Sequence, residues 1–319
     1  MSSTTISSSG TPAVPKVSVS IITYNHRNYI ARAIDSVLRQ QVDFPYEIII
    51  GDDCSTDGTQ AILRDYQQKY PDIIQLILHP TRYRGVAGRL NNVTNLYACR
   101  GQYIAMLDGD DYWISVDKLA KQVSFLDRHP DYAITFHDTL FVSDDESFSP
   151  YNQSETLDML TPGATYTYRD VVEGWFIQTS TLLYRNHLIG EFPKWFWHVY
   201  SADYAIQLLV ARHGKIKYLE HIKGARLISN QSFTVMYNTT LAHNRLRIDE
   251  FKIFRRNLPN FSVGNRIGKF YFRRALLYLK AKRYLRALTC LIRSVITDRS
   301  IGKMLGQRAY YRLLSVVRK

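Results

Sequence analysis

The first 130 residues read as short apolar blocks cut by polar punctuation. Val17 to Thr23 (VSVSIIT) is β-branched and apolar and runs into Tyr24-Asn25-His26, which predicts a buried strand and then a loop. Asn28 to Gln40 places Ile30, Ala33, Ile34, Val37 and Leu38 at helical spacing. Tyr46 to Ile50 (YEIII) predicts a second strand that stops at Gly51-Asp52-Asp53. Thr59 to Tyr70 predicts a second helix, ended by Pro71. Ile73 to Leu78 and Tyr103 to Leu107 (YIAML) predict two more strands, the last running straight into Asp108. Strands and helices alternating in this way imply βαβ units and a parallel sheet. Ligands of such sheets sit at the carboxyl ends of the strands. Three predicted ends are polar: Tyr24-Asn25, Asp52-Asp53 and Asp108-Gly109-Asp110-Asp111. One crevice lined by a tyrosine and carboxylates is therefore expected.

Beyond Lys118 the pattern is less regular. Leu119 to Arg128 predicts a helix stopped by His129-Pro130, Ala133 to Phe136 a strand, Ser180 to Tyr184 a strand and Tyr204 to His213 a helix. Residues 143–163 are rich in Ser, Asp, Pro and Gly and predict an excursion or loop. From Arg245 onward the pattern is mostly helical.

Composition adds bounds. The 319 residues are 45% apolar, enough for one large domain with an extension. Cys54, Cys99 and Cys290 form no C-x-x-C pair, so neither a disulfide framework nor a structural zinc site is expected, and a reducing cytoplasm is the simpler setting. No apolar run reaches the ~18–20 residues that span a bilayer. Met1 to Lys16 is Ser/Thr/Pro-rich and predicts a flexible tail. The net charge of +13 is local. Residues 241–319 carry 20 Lys+Arg against 3 Asp+Glu, while the remaining 240 carry 21 against 25.

Asp108, Asp110 and Asp111 crowd four positions. Like charges this close repel unless a cation or hydrogen-bond donors compensate. An all-oxygen set suits a hard divalent cation, Mn²⁺ or Mg²⁺, shared with substrate phosphates. The alternative is an acidic turn that caps the next helix. No P-loop, dinucleotide-binding G-x-G-x-x-G or G-x-S-x-G elbow is present, which argues against ATPases, dehydrogenases and α/β-hydrolases.

The ordered series SIITYN (20–25), EIIIGDDCSTDGT (47–59), GVAGRLNN (85–92), GQYIAMLDGDDYW (101–113) and SADYAIQLL (201–209) resembles the family 2 glycosyltransferases over residues 17–235. The resemblance implies a GT-A fold, an α/β architecture that is Rossmann-like, with a mostly parallel sheet flanked by helices. It divides the chain into a tail (1–16), a nucleotide-sugar-binding catalytic domain (17–235) and a basic α-helical extension (236–319). It also implies roles. Tyr24 matches the position that stacks near the donor base, and Asp53 the carboxylate that bonds its pyrimidine edge. Arg89 matches a basic residue near the base or diphosphate, Asp108 the ribose-side member of a D-x-D motif and Asp110 the metal ligand. Asp203 matches the general base of inverting members. Each position has a plainer alternative: Tyr24 packing at a strand end, Asp53 capping a helix, Arg89 pairing with a surface carboxylate, Asp203 serving as a helix N-cap. The sequence departs from the family's Y-R-x-H motif, since Ala225 to Asn230 (ARLISN) has no His. Arg226 remains as a candidate diphosphate contact.

Trp113, Trp175, Trp195, Phe196 and Trp197 could stack on sugars or anchor the core. Leu277, Ala281, Tyr284, Leu288, Leu291 and Val295 form an apolar stripe at helical spacing, interleaved with Lys280, Arg283, Arg286 and Arg293. Such a helix can lie on an anionic membrane surface or pack on the catalytic domain. No nucleic-acid-binding motif accompanies the charge, so nucleic acid is not an expected partner. The expected function is an inverting transfer of sugar from a nucleotide-diphosphate donor, a UDP-sugar first, to a saccharide or lipid-linked acceptor in cell-envelope polysaccharide synthesis. The expected place is the cytoplasm or the inner face of the cytoplasmic membrane. A sugar nucleotidyltransferase and a non-catalytic nucleotide-sugar binder are the alternatives.

Overall fold

The computed structural model describes residues 14–83, 88–143, 147, 160–161, 163–228, 240–261 and 264–298. Most of the expected tail, most of the excursion at 143–163 and the boundary at 235/236 lie outside the described residues.

A nine-stranded sheet runs in the order β3-β2-β1-β4-β8-β6-β9-β5, with β7 beside β9. Strands β1 (Val17–Thr23), β2 (Tyr46–Asp52), β3 (Ile74–Leu78) and β4 (Tyr103–Asp108) are mutually parallel. The other half is mixed: β5 (Tyr112–Trp113), β6 (Tyr132–Val142), β7 (Thr165–Tyr166), β8 (Leu183–Arg185) and β9 (Lys215–Leu227). The α/β class, the sheet flanked by helices and the C-terminal helices are as expected. The strand predicted at Ala133 to Phe136 extends to Val142, because β9 pairs with it along its length. That predicted from Ser180 becomes a 3₁₀ turn at Thr179–Thr181 leading into β8.

Helices α1 (Ile30–Leu38), α2 (Thr59–Lys69), α3 (Arg89–Ala98) and α4 (Lys118–Arg128) cover the sheet's parallel half. α1 buries Ile30, Ala33, Ile34 and Val37, the spacing of one helical face. α3 was not expected, because its inward face is polar: Arg89, Asn91, Asn92 and Asn95 are buried. Those amides serve the sheet. Asn91 Nδ2 donates to Gly51 O at 2.8 Å, and Asn95 Nδ2 to Ile21 O at 2.8 Å and Ile49 O at 3.1 Å. A Cβ at Gly51 would overlap the amide oxygens of Asn91 and Asn95, so glycine there lets α3 close on β2.

Helices α5 (Tyr168–Glu173), α6 (Ala202–Val210), α7 (Leu241–Asn257), α8 (Gly264–Lys280) and α9 (Tyr284–Thr297) follow. Ile248, Phe251 and Phe254 of α7 belong to the same core as Phe136, Phe196 and Tyr204. A smaller core of Ala275, Tyr278, Ala287, Cys290 and Leu291 holds the α8–α9 hairpin together. The apolar stripe spans the turn between these two helices, so only part of it is buried.

Candidate active site

Parallel register brings three strand ends side by side: Thr23 is level with Asp52, and Ile22 with Asp108. The loops beyond them are tied together. Asp53 N–H donates to Thr23 O at 3.0 Å, Asn25 N–H to Ser55 Oγ at 2.8 Å and Thr56 N–H to Asn25 Oδ1 at 2.9 Å. Asp52 accepts from Ser55 N–H, Ser55 Oγ and Gln60 Nε2, so its carboxylate shapes the loop. Asp53 is buried just beyond the end of β2, at 3% exposure.

Its partner there was missed by the sequence reading. Arg82 Nε lies 3.8 Å from Asp53 Oδ2. The same guanidinium stacks 3.9 Å from the centroid of the Tyr24 ring, and its Nη1 donates to Tyr24 Oη at 3.1 Å. Arg82 follows β3, whose carboxyl end borders β2. The strand-end rule that singled out Tyr24 and Asp53 applies equally to the loop after β3.

The acidic turn is built around Gly109, whose N–H donates to Ile22 O at 2.9 Å. A Cβ there would lie 2.9 Å from both His26 Nδ1 and Thr23 Oγ1, closer than real contacts allow. The three carboxylates then divide. Asp111 turns inward and accepts the Leu227 N–H at 3.1 Å. Burial, then Asp110 and Asp108, push it well above the usual carboxylate range. Asp108 is raised to about 7 by burial and by Asp110, with Asp203 adding and Arg226 opposing. Asp203 and Arg226 thus lie within electrostatic reach of the acidic turn. Arg226, on β9, is steadied by Gln178 Oε1. Asp203 stands in the first turn of α6, whose N-cap is Ser201, and it accepts from Thr179 Oγ1 at 3.2 Å.

Among the described residues no three His, Cys, Asp or Glu side chains converge as a ready-made metal site. The donor chemistry still fits a hard cation. Two adjacent carboxylates whose mutual repulsion is only partly offset by one arginine would be relieved by a divalent ion, with phosphate and water completing its shell.

Arg89 bonds to the chain that leads to Asp203. It is fully buried, donates through Nη2 to Val199 O and to Tyr200 O (3.2 Å), and stacks 4.5 Å from the Phe196 ring centroid. One guanidinium nitrogen is thus committed to the chain leading to Asp203, while Nε and Nη1 are buried without a hydrogen-bond partner among the described residues. Trp113 is likewise a core anchor, 1% exposed, with Nε1 donating to Ser180 O at 2.8 Å.

Residues 18–185 match the family described as Glycosyl transferase family 2. An uncharacterised protein of Mycobacterium tuberculosis is 36% identical over 197 residues, 58% of this chain and 54% of that one. The poly(ribitol-phosphate) β-N-acetylglucosaminyltransferase TarS of Staphylococcus aureus is 35% identical over 118 residues, 36% of this chain and 19% of TarS. The chain therefore spans about half the length, or less, of these relatives. In fold it is similar to TarS residues 1–349 in complex with UDP (TM-score 0.54, 18% identity, 90% of this chain and 91% of that one). It is also similar to the mannosyltransferase PcManGT of Pyrobaculum calidifontis in complex with GDP-Man and Mn²⁺ (TM-score 0.59, 17% identity, 95% and 80%).

Proposed function

The chain belongs to glycosyl transferase family 2, and on that premise we propose that it is an inverting glycosyltransferase. It moves a sugar from a nucleotide-diphosphate donor, a UDP-sugar first, to a saccharide or lipid-linked acceptor in cell-envelope polysaccharide synthesis. What supports this is Asp108 at the end of β4 within electrostatic reach of Arg226 and Asp203, with the Tyr24–Arg82–Asp53 group at the neighbouring strand ends. UDP bound to TarS, a fold neighbour and a relative, supports the choice of nucleotide.

Tyr24 offers a ring face to the base, and Asp53 an acceptor for the imide N–H of a pyrimidine. Asp108 faces the ribose, and Arg226 a diphosphate oxygen. A divalent cation, Mn²⁺ or Mg²⁺, held at Asp110 would offset the charge that develops on the departing diphosphate. Asp203 takes the proton of the acceptor hydroxyl as its oxygen attacks the anomeric carbon from the face opposite the leaving group. The new glycosidic C–O bond forms as the bond to the diphosphate oxygen breaks, and configuration inverts. Thr179 holds one Asp203 oxygen, leaving the other for the acceptor.

The α8–α9 hairpin supports a place on the inner face of the cytoplasmic membrane. Leu285 (78% exposed), Ile296 (73%) and Ile292 (51%) project among exposed Lys280, Arg283, Arg286 and Arg293. Among the described residues no helix is long and apolar enough to cross a membrane.

Incubation with a panel of nucleotide-sugars and Mn²⁺ tests the class. Release of a nucleoside diphosphate is expected. Pyrophosphate made from a nucleoside triphosphate and a sugar phosphate would show a nucleotidyltransferase instead, and donor binding without turnover a binder.

A further inference from the structure

The three residues before α6 are held by side chains from two distant helices. Arg89, the first residue of α3, grips the carbonyls of Val199 and Tyr200. From α7, Glu250 Oε2 accepts the Ser201 N–H at 2.5 Å. Arg247 Nη1 bridges Glu250 Oε1 at 2.8 Å and Ser201 Oγ at 2.5 Å. Glu250 is 1% exposed and Arg247 9%, and the Arg247 guanidinium is roofed by the Trp175 ring at 4.6 Å.

Ser201 is the N-cap residue of α6, yet its hydroxyl bonds no amide of that helix. A serine at this position ordinarily accepts from the second or third helical N–H. Here the hydroxyl is diverted to α7, so the start of α6 is fixed by tertiary bonds. Asp203 follows two residues later. Glu250 and Asp203 both act on Arg89, favouring its charge, while burial pushes it down to about 10; it stays a cation at neutral pH. Two buried cations and one buried carboxylate thus surround a stretch of three residues that leads directly into the turn carrying Asp203. A buried ion pair is a poor means of gaining stability, because desolvation offsets most of its attraction. It is a good means of fixing one geometry, and a misplacement of about 1 Å at a reacting group can cost on the order of 100-fold in rate.

We propose that Glu250 and Arg247 are positioning residues for the general base: with Arg89 they clamp Val199–Tyr200–Ser201 and so set where Asp203 stands. This rests on the assignment of Asp203 as the base. It also makes α7, which lies beyond the matched family region, a part of the catalytic apparatus.

The test uses the full chain and the nucleotide-sugar that gives turnover with Mn²⁺. Glu250→Gln keeps size and an acceptor for Ser201 N–H but removes the charge that holds Arg247. Its kcat should fall about ten- to a hundredfold with the donor KM unchanged, and amide exchange should quicken in a peptide covering residues 199–206. Ser201→Ala removes the two hydroxyl bonds of the clamp, to Arg247 and Glu250, and no charge, and should lower kcat by a smaller factor in the same direction. It decides the matter if the Gln variant does not fold. Wild-type kcat in whichever variants fold overturns the proposal, whether or not exchange changes. So does an equal loss of donor binding and kcat, which would mark a merely structural pair. Asp203→Asn is the control. If it turns over as the wild type does, the base assignment fails, and exchange at 199–206 still reports whether the clamp exists.

Discussion

The Arg82 guanidinium sits over the ring of Tyr24, 3.9 Å from its centroid, with Nε 3.8 Å from Asp53 Oδ2. A planar group bearing N–H donors, stacked on the tyrosine and facing the carboxylate, has the shape and polarity of a pyrimidine base in the proposed donor site. Stacking a base on an aromatic ring is worth about 1–3 kcal/mol. Tyr24→Ala is therefore expected to raise the donor KM about tenfold, and Tyr24→Phe much less, since it loses only the hydroxyl that Arg82 contacts. A nucleoside diphosphate titration by calorimetry checks both.

Asp203→Asn should lower turnover by about 10²–10⁴-fold, the contribution of a positioned general base, and leave nucleotide binding intact. Asp110→Ala should abolish the response of the rate to added Mn²⁺. Full activity of that variant in the presence of a chelator would rule out the proposed metal role.

Gly109→Ala places a methyl group 2.9 Å from His26 Nδ1 and Thr23 Oγ1. Overpacking of this kind costs about 1–3 kcal/mol. The turn that aims Asp108 and Asp110 must shift, so both thermal stability and Mn²⁺-dependent nucleotide binding are expected to fall. A melting curve with and without nucleotide separates the two effects.

The α8–α9 hairpin should bind vesicles containing phosphatidylglycerol and not vesicles of phosphatidylcholine alone. Binding should weaken as salt rises, because screening shortens the Debye length to ~3 Å at 1 M. Replacing Leu285, Ile292 and Ile296 together by Asp should abolish co-sedimentation while donor hydrolysis in solution is retained. Equal sedimentation of variant and wild type would show that these side chains do not reach the bilayer.

Much of the parallel half was legible in the sequence. Short apolar runs that lead into Tyr24, Asp52-Asp53 and Asp108 carry the strands and their polar ends in a few adjacent residues. α3 was hidden because its buried face is Asn and Arg, spent on the carbonyls of β1 and β2, so apolar periodicity gives no signal. β9 was hidden for a related reason. Lys215, Lys217 and Lys223 alternate with buried residues, but at Leu219 to Ile222 a register shift against β6 breaks the period of two.

What the sequence by itself determined is therefore local: the strand ends, the acidic turn and the family. Each rests on residues close together in the chain, where steric and hydrogen-bonding preferences act without help from the rest of the fold. Only the tertiary structure decided the partners. Arg89 could not be known to bond the carbonyls of Val199 and Tyr200, 110 and 111 residues away. Nor could Glu250 be known to hold Ser201 from a helix that composition alone assigned to a basic extension. A charged side chain goes where burial leaves an opposite charge or an unpaired carbonyl, and that is fixed only once the sheet and its helices have closed.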